Sequence, residues 1–170
     1  MGGLSENPFE ITHEKEISPD EKKHCSVPIP CALPLGGRRG GQSAPTADAV
    51  DLADRLSTQI QFEDTLSPLE GDMLYTLYGI DQKDVQQGAA YVSTGATAEE
   101  IAVFSCTDDS AAQRVESALK QRVDSQKQSY VDYVPKEMTK LNDAVLIRRG
   151  NLVALCISND NATAKQLIQG

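Results

Sequence analysis

Between Asp108 and Pro135 lies the longest unbroken helical pattern in the chain, DDSAAQRVESALKQRVDSQKQSYVDYVP. Ala112, Val115, Leu119, Arg122/Val123, Gln126, Tyr130 and Tyr133 recur at steps of three and four, which puts them on one face of a helix. Asp108 and Asp109 supply negative charge and capping oxygens where a helix N-terminus favours both. Pro135 ends the run, because a proline pushes the residue before it out of the helical region. Strand-like pairs flank this helix on both sides, so the fold is expected to be built around it.

The pair before the helix is AAYVST at 89–94 and IAVFSC at 101–106, β-branched and aromatic, joined by Gly95 to Glu100 as a hairpin with a longer loop. The pair after it lies in DAVLIRRGNLVALCISND, where Gly150-Asn151 suits a two-residue turn with positive φ. That turn would set Ile147 opposite Ala154, Leu146 opposite Leu155 and Val145 opposite Cys156. Both faces of this hairpin are apolar, so both should be covered. The central helix is expected on one face and the N-terminal helices on part of the other. Those helices are read from TADAVDLADRLSTQI, with Thr46 as N-cap, and from Ser67-Pro68-Leu69-Glu70, a helix-start signature leading to a stop at Gly79. IDQKDVQQG reads as a turn, KEMTKLN as one or two helical turns, and NATAKQLI as a short helix capped by Asn159-Asp160. The fold class expected is α+β: an antiparallel sheet of about four strands, as two hairpins, packed against a long central helix, with two N-terminal helices and a short C-terminal helix.

Residues 1–45 differ from the rest. Six of the eight prolines lie there with several glycines, a composition that buries no core, so a disordered tail is expected, followed by the α+β domain at 46–170. The opening MGGLSENPFEITHEKE lacks the basic start and apolar run of an export signal, and prolines interrupt the one apolar stretch, CSVPIPCALPLGG. No run is long enough to span a membrane.

Composition narrows the function classes. A net charge of −9 removes the basic footprint that nucleic acid requires. Aromatic residues make up 5% and Trp is absent, which weakens a case for base- or sugar-stacking platforms. Both histidines, His13 and His24, fall in the tail, so a His-based triad or metal site is not expected in the domain. Cysteine spacing matches no zinc site; Cys106 and Cys156 read as buried apolar strand residues, with a disulfide between them left open. Asp108-Asp109 reads as a helix cap and Glu99-Glu100 as a solvated loop before a strand. Arg148-Arg149, on opposite faces, reads as a solvated strand end or as a contact for an anion or acidic partner. No phosphate-binding glycine motif occurs in a strand-loop-helix context, and no metal or cofactor is expected. Three residues remain as candidates for ligand binding. Arg122 and Gln126 are polar groups on the buried stripe and Tyr133 follows at the helix end; a buried Arg needs a partner, so the three are expected to form a polar network or line a pocket.

Taken together, Glu99-Glu100-Ile101-Ala102-Val103-Phe104, Arg122-Val123-x-x-Gln126, Tyr133-Val134-Pro135 and Gly150-Asn151-Leu152-Val153 resemble the domain-of-unknown-function family 4358, over roughly residues 47–168. The family's usual turn is Gly-Asn-Tyr, and Leu152 stands in the Tyr position. The family is common in clostridial Firmicutes, and members often resemble cell-envelope lipoproteins. The resemblance therefore implies an extracytoplasmic, membrane-associated location and no established reaction. The chain departs from that pattern before Cys31, where Val27-Pro28-Ile29-Pro30 is no lipobox, so a cytoplasmic location stays open. The function expected is a non-enzymatic envelope domain that binds a protein or envelope component. The alternative is a small-ligand, anion-binding module with its pocket near the central helix.

Overall fold

A computed structural model describes residues 48–170; the expectations for residues 1–45 and for Thr46 as a cap lie outside them. In chain order the elements are α1 (Ala49–Gln59), β1 (Ser67–Pro68), α2 (Met73–Tyr78), β2 (Val85–Val92), β3 (Glu100–Cys106), α3 (Asp109–Tyr133), α4 (Met138–Asn142), β4 (Val145–Arg149), β5 (Leu152–Ile157) and α5 (Asn161–Gln169). Single 3-10 turns at Gln82–Asp84 and Pro135–Glu137 lead into β2 and α4.

The class is the α+β fold expected, but the sheet has five antiparallel strands, ordered β1-β2-β3-β5-β4. The additional strand is Ser67–Pro68, which local sequence presents as a helix start. Ser67 pairs with Val92 and Pro68 with Tyr91, and the Leu69 amide donates to the Ala90 carbonyl at 2.9 Å. An edge strand suits a residue with no N–H to donate. Gly71, at φ +58, turns the chain so that α2 begins only at Met73. β2 likewise begins at Val85, earlier than the 89 expected. Its Gln-Gln-Gly run looks like a turn, yet Gly88 is there because a Cβ would sit 2.6 Å from the Phe104 ring.

The Gly150 turn behaves as the sequence predicts: φ at Gly150 is +56, and Val145, Leu146 and Ile147 pair with Cys156, Leu155 and Ala154. β3 and β5 form the middle of the sheet and are buried along their whole length. Their alternate residues feed two cores. Ala102, Phe104, Cys106, Val153, Leu155 and Ile157 face α3, where they meet Ala112, Val115 and Leu119. Ile101, Val103, Ala154 and Cys156 face α1 and α5. Each fully buried Leu, Ile or Phe contributes about 1.5–3 kcal/mol. The two N-terminal helices do not share a face as expected. α1 lies with α5, whereas Leu74 and Tyr78 of α2 join the α3 side, with the Tyr78 ring edge-on to Phe104 at 5.6 Å.

Cys106 and Cys156 are free thiols on opposite faces of the sheet, so they do not pair. Burial is the main cause that lifts their pKa values to about 11 and about 12. No helix among the described residues is long and apolar enough to cross a membrane.

Candidate functional site

The site follows from a mismatch of lengths. α3 has 25 residues and spans about 37 Å, while β3 has 7 and spans about 23 Å. α3 leaves the end of β3 within three residues and folds back along it. Its C-terminal half therefore overhangs the start of β3, where the loop from Ser93 to Glu99 joins β2 to β3. Asp108 fixes the other end, its carboxylate accepting from the Ala111 amide at 2.8 Å and the Ser110 hydroxyl at 2.6 Å.

Under the overhang lies Glu100, 1% exposed. It accepts from Arg122 Nη2 at 2.7 Å, from Arg122 Nε at 3.2 and 3.3 Å, and from Gln126 Nε2 at 2.9 Å. Burial opposes the charge on Arg122, but the Glu100 hydrogen bonds and charge outweigh it and hold its pKa above the ordinary guanidinium value. Burial, then the charge of Glu100, raises the Tyr78 phenol well above its usual range. Arg122 and Gln126 line a cleft of about 260 Å³, together with Ser93, Ser125, Ser129 and Tyr130. Among the described residues, the buried Gln126 Oε1 has no hydrogen-bond donor.

The expected network is thus half right. Arg122 and Gln126 do meet, on Glu100. Tyr133 does not join them: it is 73% exposed and does not line the cleft. Tyr130, one turn earlier, takes its place, its hydroxyl donating to the carbonyls of Gly95 at 3.1 Å and Thr97 at 2.5 Å. The Tyr133 ring stands 6.4 Å from that of Tyr130.

Glu99-Glu100 is no solvated loop, as sequence alone suggested; both side chains are buried. Glu99 faces away from Glu100, as alternation along the chain requires. It accepts from the Glu63 amide at 2.9 Å, the Asp64 amide at 3.0 Å and the Thr97 hydroxyl at 3.2 Å. Lys140 Nζ lies 3.2 Å from Glu99, 3.1 Å from Glu137 and 3.2 Å from Glu63. Burial works against the Lys140 charge, but hydrogen bonds to Glu137, Glu99 and Glu63 prevail and raise its pKa. Glu137 also accepts from the Ala98 amide at 3.0 Å. Ser93 donates to the Thr97 carbonyl and Thr94 binds Asp64, so the loop that walls the cleft is tied along its length.

The remaining candidates are structural. Arg148 bridges to Asp109 at 2.8 Å and Glu116 at 3.2 Å on α3, while Arg149 donates to the Ile168 carbonyl of α5. They do point to opposite faces; each ties the strand end to a helix, and Arg149 is also exposed, as a solvated strand end would be. Asp84 and Arg114 form a two-point pair at 2.7 Å. No group of three or more His, Cys, Asp or Glu able to hold a metal occurs among the described residues.

Comparison with known proteins places these elements in one family. The model of a family described as "Domain of unknown function (DUF4358)" matches residues 58–158, a stretch that contains the whole cleft and the Lys140 cluster. No curated protein and no solved structure matches the chain.

Proposed function

The chain belongs to the DUF4358 family, and with that as premise we propose that it is a non-catalytic binding domain of the cell envelope whose recognition site is the cleft between the Ser93–Glu99 loop and α3. One observation carries the reading: the cleft is built in advance. Tyr130, Asp64, Glu137 and Glu99 tie its loop wall, and Glu100 orients Arg122 and Gln126 on its floor. Pre-ordered groups lose little entropy when a ligand arrives, which favours affinity. Binding without catalysis is supported by how the buried charges are used. All four buried carboxylates among the described residues, Asp84, Glu99, Glu100 and Glu137, already face a Lys or Arg. The thiols of Cys106 and Cys156, pushed up to about 11 and about 12, stay protonated at neutral pH and are poor nucleophiles.

The anion-binding alternative has Arg122 in its favour. That guanidinium, however, holds a carboxylate at 2.7 Å, so an incoming anion would meet a neutral pair rather than a free cation. The envelope location rests on the family resemblance. Hydrogen-exchange mass spectrometry of the full chain, with and without detergent-solubilised envelope extract, tests the reading. Protection is expected at Ser93–Glu99 and Arg122–Tyr130. Protection confined to α1 and α5, or none at all, overturns it.

A further inference from the structure

We propose that the cleft takes a neutral, hydroxyl-rich ring bearing an amide N–H: an N-acetylated saccharide unit. This rests on the preceding reading that the cleft is the binding site, and adds the chemical class of what binds there.

The lining matches hydroxyl chemistry on both sides of the hydrogen bond. Ser125 and Ser129 are exposed hydroxyls one helical turn apart; Ser125 can donate and accept, while Ser129 gives its proton to the Ser125 carbonyl at 3.1 Å and keeps its lone pairs for a ligand donor. Gln126 gives one amide N–H to Glu100, and among the described residues its buried Oε1 is an acceptor without a donor. A ligand N–H or O–H supplies what that oxygen lacks, and a fully deprotonated anion such as a carboxylate, having only acceptors, does not. Arg122, partly exposed, reaches the cleft as a donor whose charge the buried Glu100 offsets, which again suits hydroxyls. The chain's net charge of −9 further disfavours anionic ligands approaching from solution.

The size and rim agree. About 260 Å³ lies just below the usual ~300–1,000 Å³ of drug-sized sites, which fits one ring with its neighbours left outside. One turn beyond the cleft, Tyr133 leaves its ring open to solvent against Tyr130. Aromatic residues are scarce in this chain, yet two of the five tyrosines stand together here. An exposed Tyr offers an apolar face with a polar edge, on which the C–H face of a neighbouring sugar ring can lie.

The test is a ¹⁵N-HSQC titration of the full chain with the β-1,4-linked tetramer of N-acetylglucosamine, and separately with sodium phosphate at matched ionic strength. Saturable shifts at Gly95, Ser125, Gln126 and Tyr130 are expected with the tetramer and not with phosphate. Gln126→Met should weaken the tetramer at least tenfold. Because Gln126 also holds Glu100, Tyr133→Ala serves as the variant that leaves the fold intact; a loss of about fivefold or more is expected. Unchanged affinity in both variants overturns the proposal. Shifts with phosphate alone overturn the saccharide class and leave the cleft as the site. No shift with the tetramer, while envelope extract still protects the cleft from exchange, does the same. No shift with the tetramer together with no protection of the cleft by extract overturns both.

Discussion

Glu99 and Glu100 are neighbours in the chain and do different work. Glu100 reaches Arg122, 22 residues on, and shapes the cleft. Glu99 reaches Lys140, 41 residues on, and fastens α4 and the segment after α1 to the start of β3. Lys140 stands between two buried carboxylates, so its removal leaves like charges facing each other without water. Lys140→Met is expected to destabilise the domain by about 3–5 kcal/mol in urea unfolding, the usual consequence of leaving buried charges unpartnered. Glu63→Gln, which removes the exposed member of the same cluster, should produce a far smaller change. This scale was the least legible from sequence. Two adjacent acids before a strand look the same whether solvated or buried, and what decides between them is a cation dozens of residues away. Arg122 and Gln126 could be found because a polar residue on an apolar stripe stands out against a local period. Tyr133 shares that period, but the helix has by then run past the sheet.

At the scale of elements, what a local signal alone decides is legible in the sequence, and what distant pairing decides is not. The β4–β5 register follows from one dipeptide and two apolar runs, and α3 from its period, its Asp cap and its terminal proline. β1 and the start of β2 depend instead on pairing between residues 16 or more apart, where Ser67-Pro68 and Gln86-Gln87-Gly88 carry turn-like composition. Gly88 shows the physical reason: the strand needs a residue without Cβ so that the Phe104 ring can lie against it. Gly88→Ala is expected to cost about 1–3 kcal/mol through overpacking, measured as a lowered thermal midpoint by circular dichroism. Phe104→Leu should recover part of that loss when combined with it. Additive effects of the two changes would show that the ring is not what excludes the side chain.

In the whole molecule, one helix outruns its sheet, and the overhang makes the cleft. The same α3 that closes the core through Val115 and Leu119 carries Arg122, Gln126 and Tyr130 past the strand ends to meet a loop that is already tied down. On the proposed reading, stability and recognition occupy successive turns of one element, whereas the other face of the sheet packs against α1 and α5. This difference between the two faces can be measured in living source cells. A photo-crosslinking amino acid is placed at Ser125, exposed on the cleft, and in a second strain at Gln59, exposed on α1 across the sheet. Recognition at the cleft requires an adduct with a membrane- or wall-associated component from Ser125 and none from Gln59. No adduct from Ser125, or equal adducts from both positions, would contradict it.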